Sequence, residues 1–397
     1  MNILWISIES PLPMNTGGRV GVYKRLSGLA KEHGIFYFYL YDNPEETEYI
    51  EKLRALCCEV HAYPRKNSAA ALVKSLFLPY TVASRDIRAL KKDIETCIRN
   101  NQIDLINVDF PHMLAAIKNL SCWGNIPVVL NEHNIEWMVY RNIAQSAGSR
   151  LRRLAYSIDT NRLKRYEEKA VGSMPISRFT FVSESDMRYY AEWMNIDNSR
   201  LSLVPVGADD TFQRDADCER EPNVVFVGNM AYMPNIEAAE WFTGKVMPFL
   251  RKRVKGVKFF IVGRSPAERV KRLGCDDIIV TGTVEDIGEY YRSARLVVLP
   301  LLHGGGVKIK LLEAVGYKKL IVATTKGIEG TRYACNGLIP FSDDPVEFAE
   351  LCCMRLQSPE NFQEERKSVH DFFLQNYTWK SICMDYSMLL KSVAENA

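Results

Sequence analysis

The sequence predicts an α/β protein with two doubly wound parallel sheets, and two observations carry this prediction. Short apolar runs alternate with helical patterns along most of the 397 residues, an order that is typical of parallel sheets covered by helices. The alternation is interrupted by the polar, charged stretch 211–222 and then begins again. A chain of this length is also too long for one ordinary core. We therefore expect an N-terminal domain over residues 1–210 and a second domain over residues 211–377.

The first domain is predicted to begin with a buried strand, a loop and a helix. This helix begins near Arg19, with Val22, Leu26 and Leu29 on one side, and Gly34 is expected to end it. Most strands are short apolar runs, because helices cover both faces of a parallel sheet. The predicted strands are Ile3–Ile8, Ile35–Tyr41, Glu59–Tyr63, Leu105–Val108, Val128–Asn131, Arg178–Val182 and Leu201–Val204.

The second domain repeats this order and is followed by a long helix. A helix over Asn235–Leu250 follows its first strand, and the last helix, within residues 378–397, is long enough to cross back onto the first domain. Ligands of doubly wound domains bind at the carboxyl ends of the strands, so we expect the site between the two domains. The predicted strands are Val224–Val227, Phe259–Val262, Ile278–Thr281, Leu296–Leu299 and Leu320–Ala323.

The glycines 304–306 and the helix that follows them, at about Lys308–Tyr317, predict an anion site. Glycines allow a ligand to approach the backbone closely, and the free N–H groups at a helix start favour negative charge. Lys308 and Lys310 are unfavourable for the helix dipole at that end, and a bound anion would explain them. A tight turn is the simpler interpretation of the glycines alone.

Helical spacing places Gly306, Lys310, Glu313 and Tyr317 on one face of this helix. A cation beside the phosphates and a carboxylate one turn deeper suit a nucleoside diphosphate. The ammonium would contact the pyrophosphate, and the carboxylate would accept hydrogen bonds from the ribose hydroxyls. The alternative for Glu313 is an ordinary ion pair with Lys310 on the surface.

Composition and charge argue against several classes of protein. A net charge of +3 gives no case for nucleic acid as a partner. The N-terminal run lacks a basic leader and is expected to be a strand, not a signal peptide. The nearest approach to a membrane span, residues 68–80, is short and contains Lys74 and Pro79. Ten scattered cysteines without a C-x-x-C pattern favour reduced thiols in a cytoplasmic protein.

Several stretches of the sequence together resemble glycosyltransferase family 4, whose members use nucleotide sugars, retain the anomeric configuration and have the GT-B fold of two facing Rossmann-like domains. The resemblance covers nearly the whole chain in the right order, and Phe110–His112 with Asn131–Glu136 are similar to bacterial polysaccharide-assembly members. The other matching stretches are Gly17–Gly18, VPVGAD (Val204–Asp209), VVFVGNM (Val224–Met230), FFIVG (Phe259–Gly263), VTGTV (Val280–Val284) and GGGVKIKLLEAVGYKKLIVAT from Gly304.

The resemblance implies roles for individual residues. Glu313 matches the second glutamate of a family pair that holds the donor ribose, and His133 lies where the family has a histidine near the transferred sugar. The residues expected to be catalytic are His133, Lys310 and Glu313. Those expected to bind donor or phosphate are Gly17, Gly18, Gly228, Asn229, Arg264, Gly282, Val284, Gly305, Gly306, Val307, Lys308, Lys310 and Glu313. Those expected on the acceptor side are Arg19, His112 and Glu132.

The sequence departs from the family pattern at two places. The first glutamate of the pair would fall at Gly305, which predicts altered donor recognition rather than loss of activity. The segment Gly228–Tyr232 lacks the family's arginine and lysine, and we expect Lys308 and Lys310 to substitute, with Arg264 as a further candidate.

The mechanism that the resemblance implies uses no protein nucleophile and no metal. An acceptor hydroxyl attacks on the face that the diphosphate leaves, and the protein positions the groups and stabilises the departing charge. The sequence has no Asp-x-Asp motif and no His/Cys spacing typical of a metal site, so we expect no cofactor. The expected partners are a nucleotide-sugar donor and a polysaccharide, glycolipid or other glycan acceptor, which can be lipid-linked.

Other interpretations stay open at the level of sequence. His133 and Glu132 can be structural, the second as a helix cap or a satisfied core carboxylate. The basic stretch Arg150–Arg165 is either a solvated helix face or a surface for anionic lipid at the inner side of a membrane, with residues 68–80 assisting.

Three alternative functions also remain. A catalytically silent subunit that binds a nucleotide sugar is favoured by the glycine at position 305, and a nucleotide-sugar epimerase would share the fold. Gly17, Gly18 and Gly21 imitate a dinucleotide fingerprint, but the residues between them and the first strand argue against an oxidoreductase.

Overall fold

The computed structural model describes residues 1–14, 16–65, 69–118, 120, 124–146, 149–210, 221–304 and 306–396. The chain forms two compact units: unit 1 is Met1–Pro205 with Ile382–Ala397, and unit 2 is Val206–Ser381. Each unit contains a parallel sheet, which confirms the predicted α/β class with two parallel-sheet domains. Most of the expected linker, residues 211–220, lies outside the described residues.

Within its described residues, unit 1 is built on seven parallel strands. They are β1 (Asn2–Ser7), β2 (Gly34–Tyr41), β3 (Glu59–Pro64), β4 (Leu105–Asp109), β5 (Val128–Glu132), β6 (Ile176–Phe181) and β7 (Leu201–Leu203). They lie in the order β3-β2-β1-β4-β5-β6-β7, and all are within two residues of the predicted bounds. The order reverses between β1 and β4, where Ile6 pairs with Val108. Doubly wound sheets bind ligands at such a switch point.

Helices cover both faces of this sheet, and residues of β1 alternate between them. Leu4 and Ile6 pack in one buried cluster, whereas Ile3 and Trp5 pack in another. The strand therefore reads as an unbroken apolar run. The helices of this part of the chain are α1 (Gly17–Leu29), α2 (Ile50–Arg54), α3 (Ala69–Lys74), α4 (Tyr80–Ala83), α5 (Arg88–Asn100), α6 (Leu114–Ile117), α7 (Glu136–Ser146), α8 (Arg150–Gly172) and α9 (Glu184–Met194).

Unit 2 contains five parallel strands and nine α-helices in its described residues. The strands are β8 (Asn223–Val227), β9 (Lys258–Val262), β10 (Ile278–Gly282), β11 (Leu296–Leu299) and β12 (Leu320–Ala323), in the order β10-β9-β8-β11-β12. The helices are α10 (Met233–Trp241), α11 (Met247–Arg253), α12 (Glu268–Lys271), α13 (Ile287–Ser293), α14 (Ile309–Gly316), α15 (Thr325–Ile328), α16 (Tyr333–Asn336), α17 (Pro345–Gln357) and α18 (Gln363–Asn376).

The helix predicted over Asn235–Leu250 is present but is not a single regular α-helix. A π-helical segment, Phe242–Val246, separates α10 from α11. Pro248 lies in the first turn of α11 and has no N–H to donate to the preceding turn. The wider π turn accommodates this missing bond without ending the helix.

The C-terminal helix, α19 (Trp379–Glu395), packs on unit 1 through α1, as the sequence predicts. Gly28 of α1 allows this close approach, because a Cβ atom there would lie 2.3 Å from Sγ of Cys383. The Tyr386 hydroxyl reaches the sheet and lies 2.8 Å from the side-chain oxygens of both Asn107 and Asn131. Among the described helices, none has the length and apolar character needed to cross a bilayer.

Candidate active site

A pocket in unit 1 lies at the carboxyl ends of β1 and β4, at the switch point of the sheet. Its wall includes three of the predicted residues, Gly18, Arg19 and His133. The complete lining is Ser7, Ile8, Glu9, Ser10, Pro11, Gly18, Arg19, Val22, Asp109, Phe110 and His133.

Asp109 is the fixed centre of this pocket. Its fully buried carboxylate accepts hydrogen bonds from Trp5 Nε1 at 2.8 Å, from Asn131 Nδ2 at 2.9 Å and from the Ser7 hydroxyl. Burial alone would raise the pKa of Asp109, but the hydrogen bond from His133, the charge of Arg25 and the hydrogen bond from Ser7 lower it to about 2. Asp109 is therefore an ionised, enclosed anchor for the side chains around it.

His133 is held by three neighbours. Its Nε2 lies 3.2 Å from the Asp109 carboxylate, and its ring stacks on Phe110 with centroids 4.6 Å apart. Arg25 Nη2 lies 3.4 Å from its Nδ1 and 3.3 Å from its Nε2. Burial, with the charge of Arg25, lowers the pKa of His133 although Asp109 opposes this. We assign the neutral ring with the proton on Nε2, because the ionised Asp109 carboxylate can only accept the hydrogen bond there.

Phe110 takes part in this arrangement through an unusual backbone conformation. Its φ is +67°, a value that non-glycine residues rarely adopt. Its N–H donates a hydrogen bond to the backbone oxygen of Asn131 at 2.9 Å. The strained turn after β4 places the aromatic ring against His133. An aromatic residue is not a sequence signal for positive φ, so sequence reasoning did not predict this role.

Arg19 is paired with carboxylates. Its Nε donates to Glu9 at 2.9 Å and its Nη2 to Glu46 at 2.8 Å. Gly17 begins α1, and a Cβ atom at Gly18 would meet no atom within 4 Å. The start of α1 is therefore open beside Gly18, while the Arg19 charge is balanced.

Glu132 and His112, both predicted on the acceptor side, are buried outside this pocket. Glu132 accepts a 3.3 Å hydrogen bond from the Tyr190 hydroxyl. Burial and the nearby charge of Glu167 raise the pKa of Glu132, whereas burial and the charge of Arg85 lower the pKa of His112. Both side chains are thus held neutral in the core, and their acceptor-side roles stay predictions.

Of the two predicted lysines, Lys310 lies against the end of β8 in unit 2. The Lys310 ammonium donates to Asn235 Oδ1 at 2.7 Å and lies 4.6 Å from the centroid of the Phe226 ring. Burial, with the charge of Lys308, lowers the pKa of Lys310 to about 7, although Glu313 opposes this. A desolvated ammonium at this position favours an incoming anion.

Glycine at position 228 leaves the space that this lysine occupies. A Cβ atom on Gly228 would lie 2.9 Å from Lys310 Nζ and 2.7 Å from Asn235 Nδ2. Asn235 also donates from Nδ2 to the Asn229 oxygen at 2.9 Å. Three predicted residues, Gly228, Asn229 and Lys310, therefore meet around Asn235. Sequence reasoning did not predict Asn235, because no local pattern distinguishes it from an asparagine that caps a helix or lies in the core.

Glu313 lies one turn beyond Lys310 on α14. The Tyr291 hydroxyl donates to its Oε2 at 3.0 Å, and Tyr291 stacks on Tyr317 with ring centroids 5.1 Å apart. Burial raises the pKa of Glu313, while Tyr291 and Lys310 act in the opposite direction. The predicted face of Lys310, Glu313 and Tyr317 is thus present, with Tyr291 added from α13.

The other predicted lysine, Lys308, contacts the backbone of the glycine loop before α14. Lys308 caps the helix, and its buried ammonium donates to the Gly306 oxygen at 2.7 Å. Gly304 and Gly306 have φ of +104° and +73°, which glycine adopts readily. Val307 is partly buried beside them, and Gly305 lies outside the described residues.

The loops after β9 and β10 complete this edge of the second sheet. Gly263 has φ of +148°, and a Cβ atom on it would lie 1.7 Å from the Gly228 oxygen. Gly282 has φ of +72° and accepts from the Gly263 N–H at 3.3 Å. Val284 is partly buried. Arg264 is exposed, and its backbone oxygen accepts a hydrogen bond from the Met230 N–H. Among the described residues, no group of three or more His, Cys, Asp or Glu could hold a metal ion.

Comparisons with known proteins place both halves of the chain in one class. Residues 32–212 match the family model described as Glycosyltransferase Family 4, and residues 221–358 match the model described as Glycosyl transferases group 1. Together with the two parallel-sheet units, these matches define a glycosyltransferase of the GT-B type. The chain belongs to the family 4 type of these enzymes.

Three similar proteins illustrate the range of the likeness. An uncharacterised 44.6 kDa protein in the cps region of Klebsiella pneumoniae is 24% identical over 395 residues, which cover 96% of this chain and 97% of that protein. Sucrose-phosphate synthase from Thermosynechococcus elongatus has a TM-score of 0.69 at 16% identity, with 100% of both chains covered. Anabaena HepE in complex with UDP has a TM-score of 0.66 at 15% identity, covering 99% of this chain and 100% of that one.

Proposed function

We propose that this glycosyltransferase moves a sugar from a nucleoside diphosphate to a polysaccharide, glycolipid or other glycan acceptor, with retention of configuration. The observation that carries the proposal is the buried Lys310, held by Asn235 one turn before Glu313. Two similar proteins support it: HepE is solved with UDP and with UDP-glucose, and the Klebsiella relative lies in a cps region. We also propose that the protein works in the cytoplasm, at the membrane face.

The donor diphosphate is proposed to bind at the start of α14. Burial leaves Lys310 poorly solvated, with a pKa of about 7. A bound diphosphate would raise that pKa and keep the side chain in its charged ammonium form. Glu313, oriented by Tyr291, is placed to accept hydrogen bonds from the ribose hydroxyls. The glycine loop would let the phosphates approach its backbone.

The transfer step is proposed to need no protein nucleophile. The bond from the anomeric carbon to the diphosphate oxygen breaks while a bond to the acceptor oxygen forms on the same face. The hydroxyl proton passes to the leaving phosphate oxygen. Asp109 is a poor nucleophile because Trp5, Ser7 and Asn131 already occupy its carboxylate. The neutral His133 beside it would orient a sugar hydroxyl rather than carry charge.

A binding experiment on two variants tests the donor site. Lys310→Ala and Glu313→Ala should each weaken the binding of UDP, or of the nucleotide sugar that gives the largest thermal shift, as measured by calorimetry. Lys271→Ala is the matched control, because that exposed lysine of unit 2 pairs with Glu268, three residues earlier on α12. Unchanged affinity in both site variants would refute their roles.

A second candidate is a subunit that binds the nucleotide sugar without turning it over. It is favoured by Gly305, which stands where the family has its first glutamate. Hydrolysis of the donor without acceptor, or transfer to an added glycan, distinguishes the enzyme from this silent subunit. Tight donor binding with neither reaction would favour the silent subunit.

A further inference from the structure

The C-terminal helix α19 reaches the core of unit 1 through the side chain of Tyr386. This side chain is buried, and its hydroxyl lies 2.8 Å from Oδ1 of Asn107 and 2.8 Å from Oδ1 of Asn131. Burial raises the pKa of Tyr386, so the hydroxyl keeps its proton and can donate it to one of these oxygens. A residue close to the end of the chain is thus bonded to β4 and β5, the strands that lead to Asp109 and His133.

Asn131 connects Tyr386 with Asp109. The Nδ2 of Asn131 donates to Asp109 Oδ1 at 2.9 Å and to Asn107 Oδ1 at 3.1 Å. Its Oδ1 accepts from the Thr180 hydroxyl and faces Tyr386. Because hydrogen-bond partners decide which way an asparagine amide is turned, hydroxyl donors at Oδ1 keep Nδ2 directed at the carboxylate. An amide turned the other way would place its oxygen against the oxygen of Asp109.

The ring of Tyr386 contacts Arg25, which is the other polar neighbour of His133 described above. The guanidinium carbon of Arg25 lies 5.9 Å from the centroid of the Tyr386 ring, within the range of a cation–π contact. Its Nη2 lies 3.4 Å and 3.3 Å from the two ring nitrogens of His133. Tyr386 therefore acts on the histidine from two sides: directly through Arg25, and through Asn131 and Asp109.

Helix α19 is fixed on either side of Tyr386. Cys383 packs directly against α1. Ser387 Oγ lies 2.8 Å from Nε2 of His33 and donates to the Glu32 carboxylate at 3.1 Å. These contacts hold the helix backbone where the tyrosine leaves it, so the position of the hydroxyl is set by the packing of α19 on α1.

We propose that Tyr386 is a positioning residue for the Asp109–His133 pair. Its hydroxyl fixes the amide of Asn131, which holds Asp109, and its ring holds Arg25 beside the histidine. Together these contacts keep the His133 proton on Nε2 and its ring in one orientation beside the pocket. The inference rests on the role proposed for His133, which is to orient a sugar hydroxyl, and it adds to that site a residue from the C-terminal helix.

The nitrogen-15 NMR signals of the His133 ring test the positioning directly. They report which nitrogen carries the proton, and His133→Gln identifies them among the signals of the six histidines. Wild type should show the neutral form with the proton on Nε2. Tyr386→Phe keeps the ring but removes the hydroxyl, and it should shift these signals toward a mixture of the two neutral forms. Tyr386→Leu, which also removes the aromatic ring beside Arg25, should shift them further.

Steady-state kinetics provide the second measurement. Tyr386→Phe should lower kcat by at least about tenfold and leave the donor KM unchanged, because the loosened group orients the reacting sugar and does not bind the nucleotide. Tyr63→Phe is the matched control, since it removes another hydroxyl hydrogen bond of unit 1, to Asp93 at 2.6 Å. Thr180→Val removes the other hydroxyl donor to Asn131 and should change the His133 signals in the same direction as Tyr386→Phe.

Circular dichroism should show that all variants are folded. A change of the His133 signals in the Tyr386 variants but not in Tyr63→Phe supports the inference. It is overturned if Tyr386→Phe keeps the wild-type signals, or if Tyr63→Phe changes them equally. These signals do not require turnover, so they decide the inference even for a protein that transfers no sugar. An inactive wild type would instead count against the proposed reaction.

Discussion

The Lys310 ammonium donates a 2.7 Å hydrogen bond to the side-chain oxygen of Asn235, which lies 75 residues earlier in the chain. Asn235 in turn donates to the backbone oxygen of Asn229. The asparagine thus connects the start of α14 with the loop after β8, and it fixes where the buried charge lies.

We expect Asn235→Ala to weaken the binding of a nucleoside diphosphate by at least about tenfold. A hydrogen bond to a charged group contributes about 1.5–3 kcal/mol, and without it Lys310 is neither oriented nor kept charged. Calorimetry with UDP measures the change, and Asn336→Ala, at an exposed asparagine of the same unit, is the control. Equal affinities of both variants would contradict a positioning role for Asn235.

The lowered pKa of Lys310 predicts that donor binding takes up a proton. Burial brings this pKa to about 7, so the free protein holds mostly neutral Lys310 above that pH. A bound diphosphate favours the ammonium form, and affinity should therefore fall as the pH rises above 7. Below pH 7 the lysine is already charged and contributes no uptake.

Calorimetry at pH 8 in two buffers with different ionisation enthalpies measures this proton. Lys310→Arg is the control, because a guanidinium stays charged throughout this range and should remove the uptake. An uptake of the same size in this variant would assign the proton to another group, such as the phosphates themselves.

Much of the fold could be predicted because its strands are covered on both sides. The runs Leu296–Leu299 and Leu320–Ala323 are continuous apolar segments, and both match the observed strands. The pattern over Asn235–Leu250 predicts a helix but not its π segment, which we attribute to the missing N–H of Pro248. The local sequence pattern thus predicts whether an element is a helix or a strand better than it predicts the detailed geometry of that element.

The site could be predicted only where its residues are close in sequence. Helical spacing brought Lys310 and Glu313 onto one face, and the structure agrees. Asn235 and Tyr291 come from other helices, and no local pattern indicates that they reach these two side chains. Glu132 shows the opposite case: it adjoins His133 in sequence, but it is buried against Tyr190 outside the pocket.

Two neighbouring glycines should respond differently to alanine. Gly263→Ala should destabilise unit 2 by at least about 2 kcal/mol, because the Cβ atom would overlap the rigid Gly228 backbone and φ is positive. Gly228→Ala displaces only the ends of the Lys310 and Asn235 side chains, so donor affinity should fall more than stability. Urea unfolding and calorimetry separate the two effects.

Gly244→Ala is the control for both, since no atom lies within 4 Å of its Cβ position. A Gly263→Ala protein as stable as this control would show that the loops after β8 and β9 can move apart. A Gly228→Ala protein with wild-type affinity would show that Lys310 can bind the diphosphate from another position.

The buried pair Glu132 and Glu167 predicts that unit 1 loses stability as the pH rises above 4.5. Burial, followed by mutual repulsion, raises the pKa of Glu132, and burial raises the pKa of Glu167. Groups with a raised pKa in the folded state stabilise it fully below their unfolded value of 4.5, and this contribution is lost as the pH rises through the folded values.

We therefore expect Glu167→Gln to flatten the decline in unfolding free energy between about pH 5 and pH 8, since an amide of the same shape does not ionise. Urea unfolding followed by circular dichroism at each pH measures this slope. Glu192→Gln removes an exposed carboxylate of α9 and should leave the slope unchanged. A Glu167→Gln protein whose stability falls as steeply as that of wild type would mean that the pair does not titrate in this range.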